Sequence, residues 1–421
     1  MSGCFNGKSR DSRSALAPDA GDRDEGALPL FRVDLDLPPA QRWSAVARAH
    51  APALQHMAQW QMAMVDAAGG AGGSSSSSRG SRARKGKKRG AASSSRPKVS
   101  AMEASMTQFA AAEAARLLQQ MREVGGAVAD LAEELTGVAE AAGIPLHALA
   151  MLNLQYEAYC ACTAVVVPSD GGGLALGRTL DWELPELKSL NIDVHVMSAG
   201  KLVYAATTWA GYTGMLTAQR PGRYGMAVNF REGAADDASA ASAPKRAADL
   251  QLPVGLSMRL ALERCADYAA FVDDVASAPT MAPFYCVVVS SQGEAVQLTR
   301  SVGGELPRRT LGLQGVQHII QANMDHWDDN PAHDTQESLI RCQRASELLE
   351  PILSEKGFVT VAELFRVLWT HPIYEDGITL YSTVMDPSSG VFASVSDPPA
   401  GAPASKPKAR AKAKTQRKSK R

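Results

Sequence analysis

From Pro38 onward, Trp43, Val46, His50, Leu54, Met57 and Trp60 recur at intervals of three or four residues, the spacing of one buried helix face. The lead-in LDLPP supplies proline where a helix can begin without its N–H. The pattern predicts an amphipathic helix that stops at Gly69. Leu118, Met121, Val124, Val128, Leu131, Leu135 and Val138 repeat the spacing, with Gly125 and Gly126 as a break, and predict a second helical layer.

From Cys162 the texture changes to runs of β-branched and aromatic residues separated by glycine turns. TAVVV, the GGG turn and LALGRTLDW read as one hairpin; IDVHVMS, the AGK turn and LVYAATTW read as another. YGMAVNF, FYCVVVSSQGEAVQLTR, QHIIQANM and ITLYSTVMDPSSGVFASVS continue the strands. Helical stretches interrupt them at Val254 to Ala278, Gln336 to Glu350 and Thr360 to Trp369. Antiparallel strands with segregated helices predict an α+β layered fold.

Other segments have no apolar face to bury. Residues 1–30 read as a disordered leader, 67–100 as a flexible Ser/Gly/basic insertion, Gly233 to Ala248 as a low-complexity loop, and 398–421 as a disordered basic tail. They also explain a net charge of zero in a chain of 421 residues with 44 basic and 44 acidic side chains. Arg79 to Lys98 and Lys406 to Arg421 carry nine Lys/Arg each and no acid, which leaves 26 basic residues against 44 acids in the body. An acidic body argues against specific nucleic-acid binding by the fold, and it suits work at low pH, where carboxylate repulsion fades. The basic loop and tail read as solvated segments or as contacts to an anionic membrane surface.

The chain has no run of about 18 apolar residues, no apolar signal core in its first thirty residues and no Asn-x-Ser/Thr sequon. Its six cysteines, Cys4, Cys160, Cys162, Cys265, Cys286 and Cys342, are too few and scattered for a disulfide framework, and none forms a CxxC pair. No metal and no cofactor is expected.

The candidate chemistry lies in YCACTAVVV and GRTLDW. A thiol at the start of one strand, with Arg178 and Asp181 on the next, makes a plausible nucleophile cluster. The same residues also read as a small buried cysteine and a structural Arg–Asp pair.

FRVDLDLPPAQRW, GIPLHALAMLNLQYEAYCACTAVVV, GRTLDW, AGYTGMLTAQRPGRYGMAVNFREG, QANMDHW and ITLYSTVMDP, in that order, resemble the acid ceramidase and N-acylethanolamine acid amidase family of cysteine N-terminal-nucleophile hydrolases. The resemblance spans about residues 31 to 395. It implies an αββα N-terminal-nucleophile sandwich preceded by a helical small-subunit segment. It divides the chain into a small subunit at 31–161 and a catalytic large subunit at 162–397, with self-cleavage between Ala161 and Cys162. It makes Cys162, not Cys160, the nucleophile, with Arg178, Asp181 and the oxyanion asparagine Asn323 as partners.

The resemblance also implies an amide substrate with a long apolar acyl chain, ceramide or an N-acylethanolamine. A non-catalytic lipid-binding protein on the same scaffold is the reading from another class. Gly211 to Thr217 would line an acyl channel or form a tight turn with ordinary core packing. Two departures stand out: Thr335 or Gln336 falls where the family has a second arginine, and Cys4 is the one candidate partner for Cys342 in a family disulfide. A lysosomal or other acidic location is implied by resemblance, while the sequence as written shows no signal peptide.

Overall fold

Two stacked β-sheets between helical layers carry the computed structural model, which describes residues 27–71, 116–154, 156, 160–232, 251–312, 317–328 and 337–403, with 64–71 as backbone alone. The larger sheet runs, in spatial order, β1 (Leu30–Asp34), β4 (Asn191–Ser198), β5 (Lys201–Trp209), β6 (Thr217–Arg220), β7 (Tyr224–Phe230), β8 (Phe284–Ser290), β9 (Ala295–Ser301) and β10 (Gly304–Thr310). The smaller runs β11 (Ile319–Gln321), β2 (Ala161–Pro168), β3 (Leu174–Asp181), β12 (Thr379–Asp386) and β13 (Val391–Val395). The β1–β4 pair is parallel.

Strand alternation divides the side chains into layers. Ala164, Val166, Leu174 and Leu176 of the smaller sheet meet Ala227, Val287, Val289 and Ala295 of the larger one. On the far side of the smaller sheet, Val165, Val167 and Val384 pack against α8 (Ser338–Lys356) and α9 (Val361–Leu368) through Leu349, Leu364 and Leu368. The far side of the larger sheet packs on α1 (Pro39–Arg42), α2 (Ser44–Ala49), α3 (Ala51–Ala71), α4 (Gly126–Ala142), α5 (Leu146–Leu154), α6 (Val254–Arg264) and α7 (Tyr268–Ser277). The result is the four-layer αββα arrangement expected from the resemblance.

Several local expectations hold, with corrections. The helix predicted from Pro38 is three consecutive helices that break at Trp43 and His50 and end at Ala71. The Val254 to Ala278 stretch is split, because Asp267 caps α7 by accepting a hydrogen bond from the Ala270 N–H. Strands β1, β6 and β10 were not anticipated. Residues 27–30, read as the end of the leader, belong to the fold: Ala27 bridges Val395 and Leu28 is buried. The rest of the leader, the insertion beyond Ala71, the 233–248 loop and the tail beyond 403 lie outside the described residues.

Gly137 explains how the helical layer closes, since a Cβ there would overlap the Ala40 carbonyl oxygen. The same contact brings α1 close to Glu134, which is fully buried. Glu134 accepts hydrogen bonds from Arg42 at 3.0 Å, from Trp43 Nε1 at 2.8 Å and from both terminal nitrogens of Arg259 on α6. A charge so buried needs such partners, and together they tie the residues before Cys162 to those after it. Among the described residues no helix is long and apolar enough to cross a membrane.

Candidate active site

Strands β2 and β3 pair with Ala161 opposite Asp181, Cys162 opposite Leu180 and Ala164 opposite Arg178. Because side chains alternate, Cys162 and Arg178 share the face turned toward the larger sheet. Asp181 shares the other face with Thr163 and Thr179. The predicted cluster therefore assembles around one backbone, but from two sides.

On the inner side, the Arg178 guanidinium donates to Cys162 Sγ at 3.1 Å. Its remaining bonds go to the Val228 carbonyl at 2.8 Å, Thr217 Oγ1 at 2.5 Å and the Tyr381 hydroxyl at 3.2 Å. Cys160 is the second thiol here, with Sγ 3.7 Å from Cys162 Sγ. All these side chains are buried.

On the outer side, Asn323 Oδ1 accepts from the Cys162 N–H at 2.8 Å, while its Nδ2 donates to the Phe230 carbonyl at 2.7 Å and the Cys160 carbonyl at 3.3 Å. Asp181 accepts from Thr379 Oγ1 at 2.6 Å and from Thr179 Oγ1 at 3.2 Å. In the uncleaved chain the Cys162 nitrogen is thus held by Asn323.

The largest addition to the predicted residues is Arg341 on α8. Its guanidinium donates to the Cys162 carbonyl at 2.5 Å, to Thr163 Oγ1 at 2.8 Å and to Asn323 Oδ1 at 2.8 Å. Thr335 and Gln336, where the family has its second arginine, lie outside the described residues, while Arg341 brings a second guanidinium to Cys162 from further along the chain. Arg341 stands in the motif SLIRCQR, which has no signature separating it from an ordinary helix-surface arginine. Its neighbour Cys342 is half-buried, and Cys4, the candidate partner, lies outside the described residues.

The electrostatics follow the two sides. Burial pushes the Cys162 thiol up, but the Cys160 hydrogen bond, Arg178 and a backbone hydrogen bond from Phe230 outweigh it and bring the group to about 7. Burial raises Cys160 well above the usual thiol range, and its bond to Cys162 adds to the rise. Asp181 is raised above the ordinary carboxyl range by burial, against the opposing charge of Arg341 and the hydroxyls of Thr379 and Thr179. Arg178 stays cationic. A thiol pushed down and a carboxyl pushed up thus flank one stretch of backbone, the opposite shifts that a nucleophile and an acid would require.

The Gly211 to Thr217 segment is a tight turn with core packing. Gly211 sits at φ +89°, where a Cβ would strike Leu54 and Leu152, and Tyr212 through Thr217 are buried. Asn153 holds this turn at the Gly211 carbonyl and the Thr213 N–H. Thr217 carries it to Arg178.

Comparison with known proteins bears out the family resemblance. Residues 26–70 match the family model for the beta subunit of N-acylethanolamine-hydrolyzing acid amidase. The chain is 24% identical to mouse acid ceramidase over 405 residues, covering 91% of this chain and 90% of that one. It is 29% identical to rat N-acylethanolamine-hydrolyzing acid amidase over 258 residues, covering 60% and 67% respectively. A solved structure of the Caenorhabditis elegans amidase ortholog matches with a TM-score of 0.47 at 26% identity, over 56% of this chain and 100% of that one.

Proposed function

We propose that this chain, a relative of the acid ceramidases and N-acylethanolamine acid amidases, hydrolyses the amide bond of N-acylated lipids after cleaving itself between Ala161 and Cys162. Ceramide, yielding sphingosine and a fatty acid, is the first substrate to test, because the ceramidase similarity runs along 91% of the chain and the amidase similarity along 60%. The observation that carries the reading is the placement of Cys162: its sulfur lies 3.1 Å from Arg178 and its peptide nitrogen 2.8 Å from Asn323.

In the first reaction the Cys162 thiolate adds to the Ala161 carbonyl carbon. The C–N bond breaks as a proton, supplied by neutral Asp181, arrives on the departing nitrogen. Water then hydrolyses the thioester, releasing the Ala161 carboxylate and leaving Cys162 as a new N-terminus. Residues 31–161 and 162–397 become small and large subunits, held together by Glu134 and Arg259.

In the second reaction the new α-amine, with an unperturbed pKa of about 8, takes the thiol proton, so no histidine is needed. Asp181, freed of its proton, holds that amine. Arg178 keeps the sulfur anionic as it attacks the lipid amide. Release of the Ala161 end frees the Asn323 amide to donate to the substrate oxyanion, a contact of about 3 kcal/mol in transition-state stabilisation.

The test is intact-mass spectrometry of the wild type and of Cys162→Ala across pH 4.5 to 8, followed by ceramide and N-acylethanolamine assays. Cleavage between Ala161 and Cys162 in the wild type alone, with release of fatty acid from either lipid, is expected. A wild-type chain that stays intact at every pH, or a Cys162→Ala protein that hydrolyses lipid equally well, overturns the proposal.

A further inference from the structure

The mechanism above leaves one nucleophilic group unused. Cys160 is fully buried and lies two residues before the proposed nucleophile. Its sulfur has three acceptors within reach: the Asp181 carbonyl at 3.2 Å, the Ala161 carbonyl at 3.6 Å and Cys162 Sγ at 3.7 Å. A thiol has one hydrogen to donate, so the acceptors compete. The winner is the one that carries charge, because a hydrogen bond to an ionised acceptor is about twice as strong as one between neutral groups.

We infer that Cys160 is a positioning residue for self-cleavage, its S–H turning from the Asp181 carbonyl to Cys162 Sγ when that sulfur is a thiolate, and so holding the nucleophile anionic beside the Ala161 carbonyl. This rests on the self-cleavage proposed above. As the thiolate adds, its charge moves to the Ala161 oxygen, the third acceptor of the same S–H, so one donor follows the charge across the step. No bond to Cys160 forms or breaks. The proton on the departing nitrogen comes from Asp181, Cys162 having already given up its own as the thiolate, and Cys160 leaves the step as the thiol it was.

Other groups that bear on Cys162 ionisation are Arg178 and Asp181 on β3, Tyr156 ahead of β2, and Tyr381 on β12. Arg178 and the Phe230 backbone remain when Cys160 is replaced, so the thiolate is weakened and not abolished. Loss of the donor raises the Cys162 pKa, and two features of the pH–rate profile then move in opposite senses. The plateau rate falls, about tenfold for each unit of rise, while the alkaline limb moves to higher pH.

The experiment is the rate of self-cleavage of full-length Cys160→Ala, Cys160→Val and Cys160→Ser by intact mass from pH 4.5 to 9, with thermal melting as the check on folding. Alanine and valine are expected to lower the plateau about tenfold and shift the limb upward, and serine, which keeps a donor, to restore both. If wild type cleaves and the alanine and valine variants give its profile, or slow without moving the limb, Cys160 has no such role. If wild type itself never cleaves, the proposed function fails first, and the two failures are distinct.

Discussion

The two faces of the β2–β3 hairpin do different work on the same residue. The inner face, with Arg178 and Cys160, addresses the Cys162 sulfur and is built of fully buried groups. On the outer face Asn323 and Arg341 hold the Cys162 backbone nitrogen and carbonyl, and Asp181 lies on the same face, held by Thr379 and Thr179. In the proposed mechanism one side sets the charge of the nucleophile and the other sets the proton and geometry of the bond to be broken. Strand alternation makes this division possible, because groups on opposite faces can be tuned without touching.

The division implies a particular pH dependence. In the proposed mechanism self-cleavage needs Cys162 ionised and Asp181 protonated. Where the raised carboxyl still titrates below the thiol, which lies at about 7, the rate is flat between the two groups. It falls below the carboxyl value, where thiolate is lost faster than acid is gained. It falls again above about 7, where the thiol is already ionised and the acid is still being lost.

Replacing Arg178 should have the largest effect. Arg178→Met removes the cation from the sulfur and leaves the Val228 carbonyl and Thr217 without their donor, so cleavage should drop about a thousandfold and stability by about 3 kcal/mol. Intact mass and urea denaturation read the two separately. Asp181→Asn comes next, with a loss of about a hundredfold from removal of the acid. Its diagnostic feature is the alkaline limb: without a titrating acid, the remaining rate should rise through pH 7 and stay level instead of falling.

Arg341→Gln should slow cleavage about tenfold, in line with loss of a charged hydrogen bond of about 1.5 kcal/mol. Arg341 lowers Asp181, so its removal raises that carboxyl further and moves the acid limb to higher pH while leaving the alkaline limb in place. If the alkaline limb moves as well, the two faces are not separable. Thr379→Val should be mildest, costing about 1 kcal/mol for one hydrogen bond to Asp181 and shifting the acid limb in the same direction by less. A pH–rate profile identical to wild type in this variant would show that the Thr379 contact does not tune Asp181.

Most of the hairpin, with Cys162 at its head, was legible in sequence, because β-branched runs, a GGG turn and ordered motifs are local signals. The separation of Arg178 from Asp181 was legible too, though it was read as a single cluster. Residues three apart on a strand point to opposite faces. Strands β1, β6 and β10 escaped notice for physical reasons: β6 has four residues, β10 is a polar edge strand containing Pro307, and β1 is half-exposed and takes its identity from a parallel partner 160 residues away in the chain at Val194. The breaks at Trp43 and His50 escaped because both residues keep the helical period while leaving helical geometry.

The amino-acid sequence by itself determined the α+β class, the position of Cys162 at the head of a strand and the order of motifs that carries the family resemblance. These depend on the chemistry of neighbours along the chain. Tertiary structure decided the placement of Arg341 against the Cys162 carbonyl, the meeting of Cys160 and Arg178 with the sulfur, which brings Cys162 down against its burial, and the burial that drives Asp181 up. Those facts depend on which distant groups share a space from which water is excluded, and no local period encodes that.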